Sequence, residues 1–469
     1  VIMTEKYPDH PNLRGNYAPI RMESDINDLI IEGEIPKDLF GSYYRNGPDP
    51  QFPPRGGNYH WFGGDGMIHA FHFENGKVAY KNRWVQTSKW KQEKAAGRSL
   101  INLLNPMDTD PKWNPEGEDG TANTNIIFHG DKLLALEEGH PPFELDPVSL
   151  ESLGSYNYEG KLLSAMTAHP KIDPLTGELF GFSYGFGENK ITYFVVNAKG
   201  ELTTYFEFQT PYSSMIHDFI VTDKHVIFPI FPLIIDFGEA MKGNPPIAWD
   251  ANRNSQIGIM PRDGTADDIK WIESDPCYVF HPMNAYTQGD KIIAHMMQFE
   301  EAPLFPHLDG STPDPKKAEA RLNKWVIDLS SNSGTIKREY LDDEIGEFPR
   351  LDERFSMLNY RHGYFATKKE DNHPEGISFN AIAHYDHQTG KKNVYGLSEH
   401  DAVGEPIFVP KTRDSEEGEG YLIALAYKGR ENISELMILD AQQVEKGPIG
   451  KALLPHRIPY GFHGNWRNG

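Results

Sequence analysis

The 469-residue chain has a single cysteine, Cys277, so an internal disulfide is impossible and nothing in its cysteine use calls for an oxidising compartment. Basic excess is missing as well: 46 Lys and Arg stand against 68 Asp and Glu, a net charge of −22. Phosphate backbones are bound through Lys and Arg that release counterions, which excludes nucleic acid as a partner. No apolar run approaches the ~18 residues that a membrane-spanning helix needs. The longest, VIFPIFPLIIDF at 226–237, is broken by Pro229 and Pro232 and carries Asp236. That run is either the core of a strand layer or part of an apolar rim touching a membrane. The first residues, VIMTEKYPDHPNLRG, hold no basic stretch followed by an apolar one, so no secretory signal is expected. The expected location is cytoplasmic, with peripheral membrane contact left open. Phosphate-loop patterns are absent too, and Gly63, Gly64 and Gly66 of WFGGDGM read as turn residues between strands.

What the chain has in abundance is turns and aromatics, with 43 Gly, 35 Pro, 26 Phe and 22 Tyr. Apolar runs recur, each ending at an Asx residue (Asp146, Asp173, Asn197, Asp328, Asp386 and Asp440) and resuming as a second run after a short polar linker. Asx side chains bond the backbone two residues on and glycine supplies positive φ, so each unit reads as a β-hairpin. Repeated hairpins with little helical periodicity indicate an all-β repeat architecture such as a propeller. Helix is expected only at 88–104, after a serine cap, and at 313–322. No linker rich in Gly, Ser or Pro divides the chain, so one domain over 1–469 is expected. Cys277, inside the apolar stretch DPCYVF, reads as core packing.

Four histidines occupy four unrelated contexts: His169 in TAHPKIDP, His217 in SMIHDF, His281 in FHPMNAY and His463 in YGFHGNW. None belongs to an HExxH or HxxxH pair, so only a closed fold could bring them together. Each follows an apolar or aromatic stretch and precedes a turn former or polar residue, the pattern of a side chain at a strand end. Imidazole sets of this kind suit Fe, Zn, Cu or Ni. Taken singly, each could equally be a satisfied interior histidine. The nearby His60, His69 and His72 come in one local cluster and are set aside as ligands.

The run IPKDLFGSYYRNGPDPQFPP, then HWFGGDGMIHAF (60–71), GTANTN (120–125), AHPKIDP (168–174), IHDF, HPMNAY, EFPRLDER (347–354), GEPIFVP (404–410) and PYGFHGNW together resemble the carotenoid cleavage oxygenase family, in that family's order and over nearly the whole chain. The resemblance implies a seven-bladed β-propeller with a helical and loop dome over the metal face, and an Fe(II) held by His169, His217, His281 and His463. It implies that Glu138, Glu347 and Glu405 hold three of those ligands from behind, the one equivalent to His169 having no such partner. Glu137 and Glu344 are the neighbours with which they could be confused. Thr124 matches a residue that obstructs one open side of the iron, and Phe62 matches an aromatic wall of the cavity. The implied reaction adds both atoms of dioxygen across a C=C bond of a small lipophilic polyene, releasing two carbonyl products. Stilbene-cleaving members carry a Tyr and a Lys that recognise the phenol, where this chain has Leu104 and Glu137; that favours a carotenoid or apocarotenoid, with stilbenoid cleavage as the alternative. A non-catalytic propeller platform, a carboxylate-rich propeller hydrolase and a non-oxidative isomerase of the same family are the other readings, and the oligomeric state is open.

Overall fold

The computed structural model describes residues 6–103, 105, 107–369 and 378–469. Among these, the antiparallel strands sort into seven blades. Four-stranded blades run over 125–155, 171–209 and 220–274. Two more share the 17-residue strand Thr335–Leu351, whose first half pairs with Arg321–Asp328 and whose end pairs with His362–Thr367. In the last two blades the chain ends meet. Ile30–Gly33 adds to Pro448–Leu453, and the terminal strand Gly464–Asn468 pairs with Gly41–Pro48, Arg45 opposite Gly464. Two seams therefore close the ring, which leaves each blade only short, protected sheet edges.

The Asx expectation holds at all six positions. The side-chain oxygens of Asp146, Asp173, Asn197, Asp328, Asp386 and Asp440 each accept the backbone N–H two residues on, at 2.8–3.0 Å. Each carboxylate or amide thus takes over a donor that the turn would leave unpaired.

Helix is scarcer than the sequence implies. The first helix is confined to Ser88–Ala96, capped by Thr87, whose side chain accepts from Trp90 N, and stopped at Gly97, which lies in the left-handed region at φ 71°. Only glycine enters that conformation without strain. The second expected helix does not form. Residues 313–320 make a turn on the Asp314 carbonyl, and the strand from Arg321 claims the remainder.

The run 226–237 is mostly buried: Val226, Ile227, Phe228 and Ile230 are blade core, Leu233–Ile235 pairs with Ile247–Trp249 in a separate two-stranded sheet, and the exposed Asp236 caps a short helix, Phe237–Met241, that the sequence did not lead us to expect. Cys277 is buried as expected, and burial pushes its thiol up to about 12.

Long connections leave the blades on one side. The helix Ser88–Ala96 is tied to the connection 49–65 by Lys89, which bonds Asp65 at 2.9 Å and Glu93 at 2.8 Å, all three buried. Asn123 Nδ2 donates to the carbonyls of Phe62 and Gly64, both at 2.8 Å, so the 120–125 segment holds that same connection from the other side.

Candidate metal centre

The four histidines come from four points of the ring. His169 ends the connection into the strand Lys171–Ile172, and His217 precedes Ile220–Val221. His281 lies within Tyr278–Gln288, where the register slips between Val279 and Pro282, and His463 immediately precedes the closing strand. Among the described residues they are the one His, Cys, Asp or Glu group whose candidate ligand atoms all lie within 4.8 Å of one another. His169 Nε2 is 3.0 Å from His217 Nε2, which is 3.2 Å from His281 Nε2. The His463 ring centre is 4.4 Å from that of His169 and 4.7 Å from that of His281.

Three glutamates fix the tautomers. His217 Nδ1 donates to Glu138 at 2.8 Å, His281 Nδ1 to Glu347 at 2.5 Å and His463 Nδ1 to Glu405 at 2.7 Å. With the proton on Nδ1, each Nε2 presents a bare lone pair. Two such lone pairs 3.2 Å apart, at His217 and His281, repel unless a cation lies between them. A common neighbour about 2.1 Å from each nitrogen would see them close to a right angle. This spacing is tighter than a tetrahedral site gives, and it leaves open positions. The donor set therefore fits a six-coordinate metal such as iron.

His169 has no carboxylate in bonding range of its Nδ1. The nearest is Asp218, at 3.8 Å, itself bonded to Lys171 at 2.7 Å. Burial, helped by the neighbouring imidazoles, holds His169 and His281 well below the usual histidine range, so both are neutral and ready to ligate.

The glutamates are themselves positioned. Tyr184 Oη donates to Glu138 at 2.7 Å. Phe348 N donates to Glu347 at 2.6 Å, and burial pushes that carboxyl well above the ordinary carboxylate range. Burial also pushes on Glu405, but Arg350, at 2.8 Å, and His463 outweigh it and hold its carboxyl low. Arg350 also donates to the Gly464 carbonyl at 2.7 Å and to Asn465 at 2.8 Å, joining Glu405 to the closing strand.

The two confusable glutamates lie elsewhere. Glu344 pairs with Lys392 at 3.0 Å, and Glu137 accepts from His140 Nδ1, whose Nε2 contacts Asp119 at 2.7 Å. Of the other histidines, His60 accepts from Phe62 N, His69 bonds Tyr80 and His72 bonds Ser42, outside the four.

Thr124 adjoins the site through its carbonyl, which accepts from His463 N at 3.2 Å, and its hydroxyl donates to Asn123. Phe62 stands between Phe280 and Phe462 at 6.5 and 5.6 Å, and Phe280 is 5.1 Å from the His217 ring. Phe348 stacks on His281 at 5.9 Å. Leu104 lies outside the described residues. Sequence reasoning missed Tyr184, Arg350, Phe280 and Phe348; the last two flank recognised residues directly, and Arg350 lies inside the EFPRLDER motif, so the signal was present for three of the four.

A seven-bladed ring with four axial histidines and three supporting glutamates is the architecture of a non-haem iron oxygenase. The chain matches, over residues 17–468, the family described as RPE65, retinal pigment epithelial membrane protein. It is 39% identical over 479 residues to lignostilbene-alpha,beta-dioxygenase isozyme III of Sphingomonas paucimobilis, covering 98% of this chain and 97% of the relative. It is 38% identical to isoeugenol monooxygenase of Pseudomonas nitroreducens, covering 97% and 98% respectively. The structure of Pseudomonas brassicacearum lignostilbene dioxygenase superimposes with a TM-score of 0.96 at 34% identity, covering 99% of this chain and all of that one. The chain belongs to the RPE65 and carotenoid cleavage oxygenase family, whose members are Fe(II)-dependent enzymes that cleave C=C bonds.

Proposed function

We propose that the chain is a dioxygenase that splits a C=C bond of an apolar conjugated substrate, an apocarotenoid or carotenoid, into two carbonyl products. His169, His217, His281 and His463 would hold the Fe(II), which supplies the activation of dioxygen. The observation that carries this reading is the set of three carboxylate-to-Nδ1 bonds, which turn the Nε2 lone pairs inward, those of His217 and His281 to within 3.2 Å of each other. A propeller serving only as a platform gains nothing from that arrangement. A hard-metal hydrolase would place oxygen ligands, not imidazoles, at the centre.

The chain's own residues do the rest. Glu138, Glu347 and Glu405 hold the imidazole rings and keep their protons away from the centre. Phe62, Phe280 and Phe348 exclude water and give a flat conjugated substrate apolar surface to lie on. Thr124 narrows one side, leaving the other for dioxygen and the alkene.

The polyene reading is supported by Glu137, an acceptor engaged with His140 where stilbene-cleaving members carry a Lys. The second reading, an aryl alkene of the stilbene or phenylpropenoid type, is favoured by the names of the relatives at 38–39% identity. Aerobic incubation of iron-loaded protein with apocarotenals, carotenoids, hydroxystilbenes and isoeugenol, with products identified by mass, separates them. Cleavage of the polyenes with higher kcat/KM supports the first reading; efficient cleavage of aryl alkenes with no polyene turned over establishes the second.

A further inference from the structure

A cavity of about 420 Å³ runs into the ring and ends on three of the four histidines, His169, His281 and His463. At its outer end are the exposed Pro174 and Glu353, and at its inner end the buried Glu405. None of the aromatic rings stacked near the ligands, Phe62, Phe280 or Phe348, lines it. His217, the ligand that Phe280 covers, does not line it either. The histidines thus have one side packed with these rings and another that opens on a cavity of mixed lining, where Phe128, Ile220, Met283 and Trp466 stand among charged and amide side chains.

The polar walls carry Asp218, Glu353 and Glu405 against Lys171, Arg350 and Arg354. Each of the three carboxylates is paired: Lys171 with Asp218 at 2.7 Å, and Arg350 with Glu405 at 2.8 Å and Glu353 at 3.0 Å. A wall so balanced neither repels a dication by net charge nor traps it at a bare carboxylate cluster. Asn125 and Asn465 also line it, their amide oxygens accepting from Ile126 N and from Arg350.

We propose that the ferrous ion reaches its site through this charge-lined funnel, and that the side walled by Phe62, Phe280 and Phe348 is reserved for the organic substrate. The physical reason is hydration. A divalent ion gives up its waters only where other oxygen or nitrogen donors replace them, and an apolar passage offers none. The funnel is lined by three carboxylates held in exchangeable ion pairs and ends on neutral imidazoles. The inference rests on the four histidines holding a metal ion, and its test reads metal uptake, so it can fail while the oxygenase reading stands.

The half-buried Ser356 lines the funnel, and its hydroxyl makes no hydrogen bond among those described. A Ser356→Cys variant can be plugged reversibly with a bulky disulfide-forming reagent, because the native Cys277 is buried. The same reagent on Leu103→Cys, at an exposed position beside the helix Ser88–Ala96, is the control. Chelator-stripped proteins are mixed with cobalt(II) and uptake is followed by stopped-flow absorbance. The plug at 356 should slow uptake at least about tenfold without changing the final stoichiometry, and phosphine release should restore the rate, while the label at 103 leaves it within about twofold. An unchanged rate with the plug at 356, equal slowing by both labels, or slowing that release does not reverse would each overturn the proposal.

Discussion

At the scale of single residues, the centre depends on protons being in the right place. Replacing any of His169, His217, His281 or His463 by Ala removes one of four donors, and we expect loss of turnover together with reduced iron per chain by metal analysis. A variant that keeps full iron and full activity would strike that residue from the set. The supporting carboxylates act one step back. Glu347→Gln keeps the shape of the side chain and replaces the carboxyl that accepts from His281 Nδ1 by a weaker amide acceptor, so iron retention or turnover should fall about 10–100-fold with the fold intact. Glu344→Gln, on a surface ion pair with Lys392, should change nothing measurable.

A further residue-scale expectation concerns pH. Burial pushes His140 down, but Asp119 and Glu137 overcome it and raise its pKa from 6.5 to about 10. A raised histidine contributes stability that is fully present below about pH 6.5 and is lost as pH climbs through about 10. Melting temperatures of wild type and His140→Gln should therefore differ most in mildly acidic buffer and converge above about pH 10. A gap that stayed constant or widened with pH would contradict the assignment.

At the scale of elements, the strands were legible and the helices less so. The six Asx turns could be read from sequence because their mechanism is local: one side-chain oxygen and one N–H two residues away. The end of the first helix was also written in the sequence, as Gly97, yet charge and apolar content beyond it drew the expected boundary on to 104. The turn at 313–320 was misread because its Lys, Ala and Glu residues favour helix when considered alone, whereas pairing of Arg321–Asp328 with both neighbouring strands decides the outcome. The run 226–237 could not be placed from sequence, since an apolar strand looks the same whether it faces a core or a membrane. Burial is a tertiary property. The helix Ser88–Ala96 makes its own test. Its Lys89 is 4% exposed between Asp65 and Glu93, and breaking a buried pair leaves uncompensated charge at about 3–5 kcal/mol. Lys89→Ala should cost that order of stability in denaturant melts, much more than Thr87→Ala, a lost helix cap worth about 1 kcal/mol.

At the scale of the whole molecule, ring closure and site assembly are the same event. The four histidine motifs were legible through their resemblance to a family, and their place at strand ends in a repeated β architecture already pointed to a closed ring; the contacts that hold them there, made as the last strand returns to the first blade, were not. His463 sits one residue before that strand, and Arg350 reaches across from Glu405 to the Gly464 carbonyl and Asn465. Closing the ring therefore positions both a histidine and the carboxylate behind it. Deleting residues 464–469 would remove the inner partner of Gly41–Pro48 and two of Arg350's acceptors while leaving all four histidines in the chain. If closure only added stability, the truncated protein would melt earlier but still bind one iron per chain at low temperature. If closure assembles the site, iron stoichiometry should collapse at temperatures where circular dichroism still reports intact strands. We expect the second outcome, because the Gly464 N–H bond to Glu405 and the bonds that tie Arg350 to Gly464 and Asn465 vanish with the deletion; full iron occupancy in a folded truncation would show that the site forms without the seam.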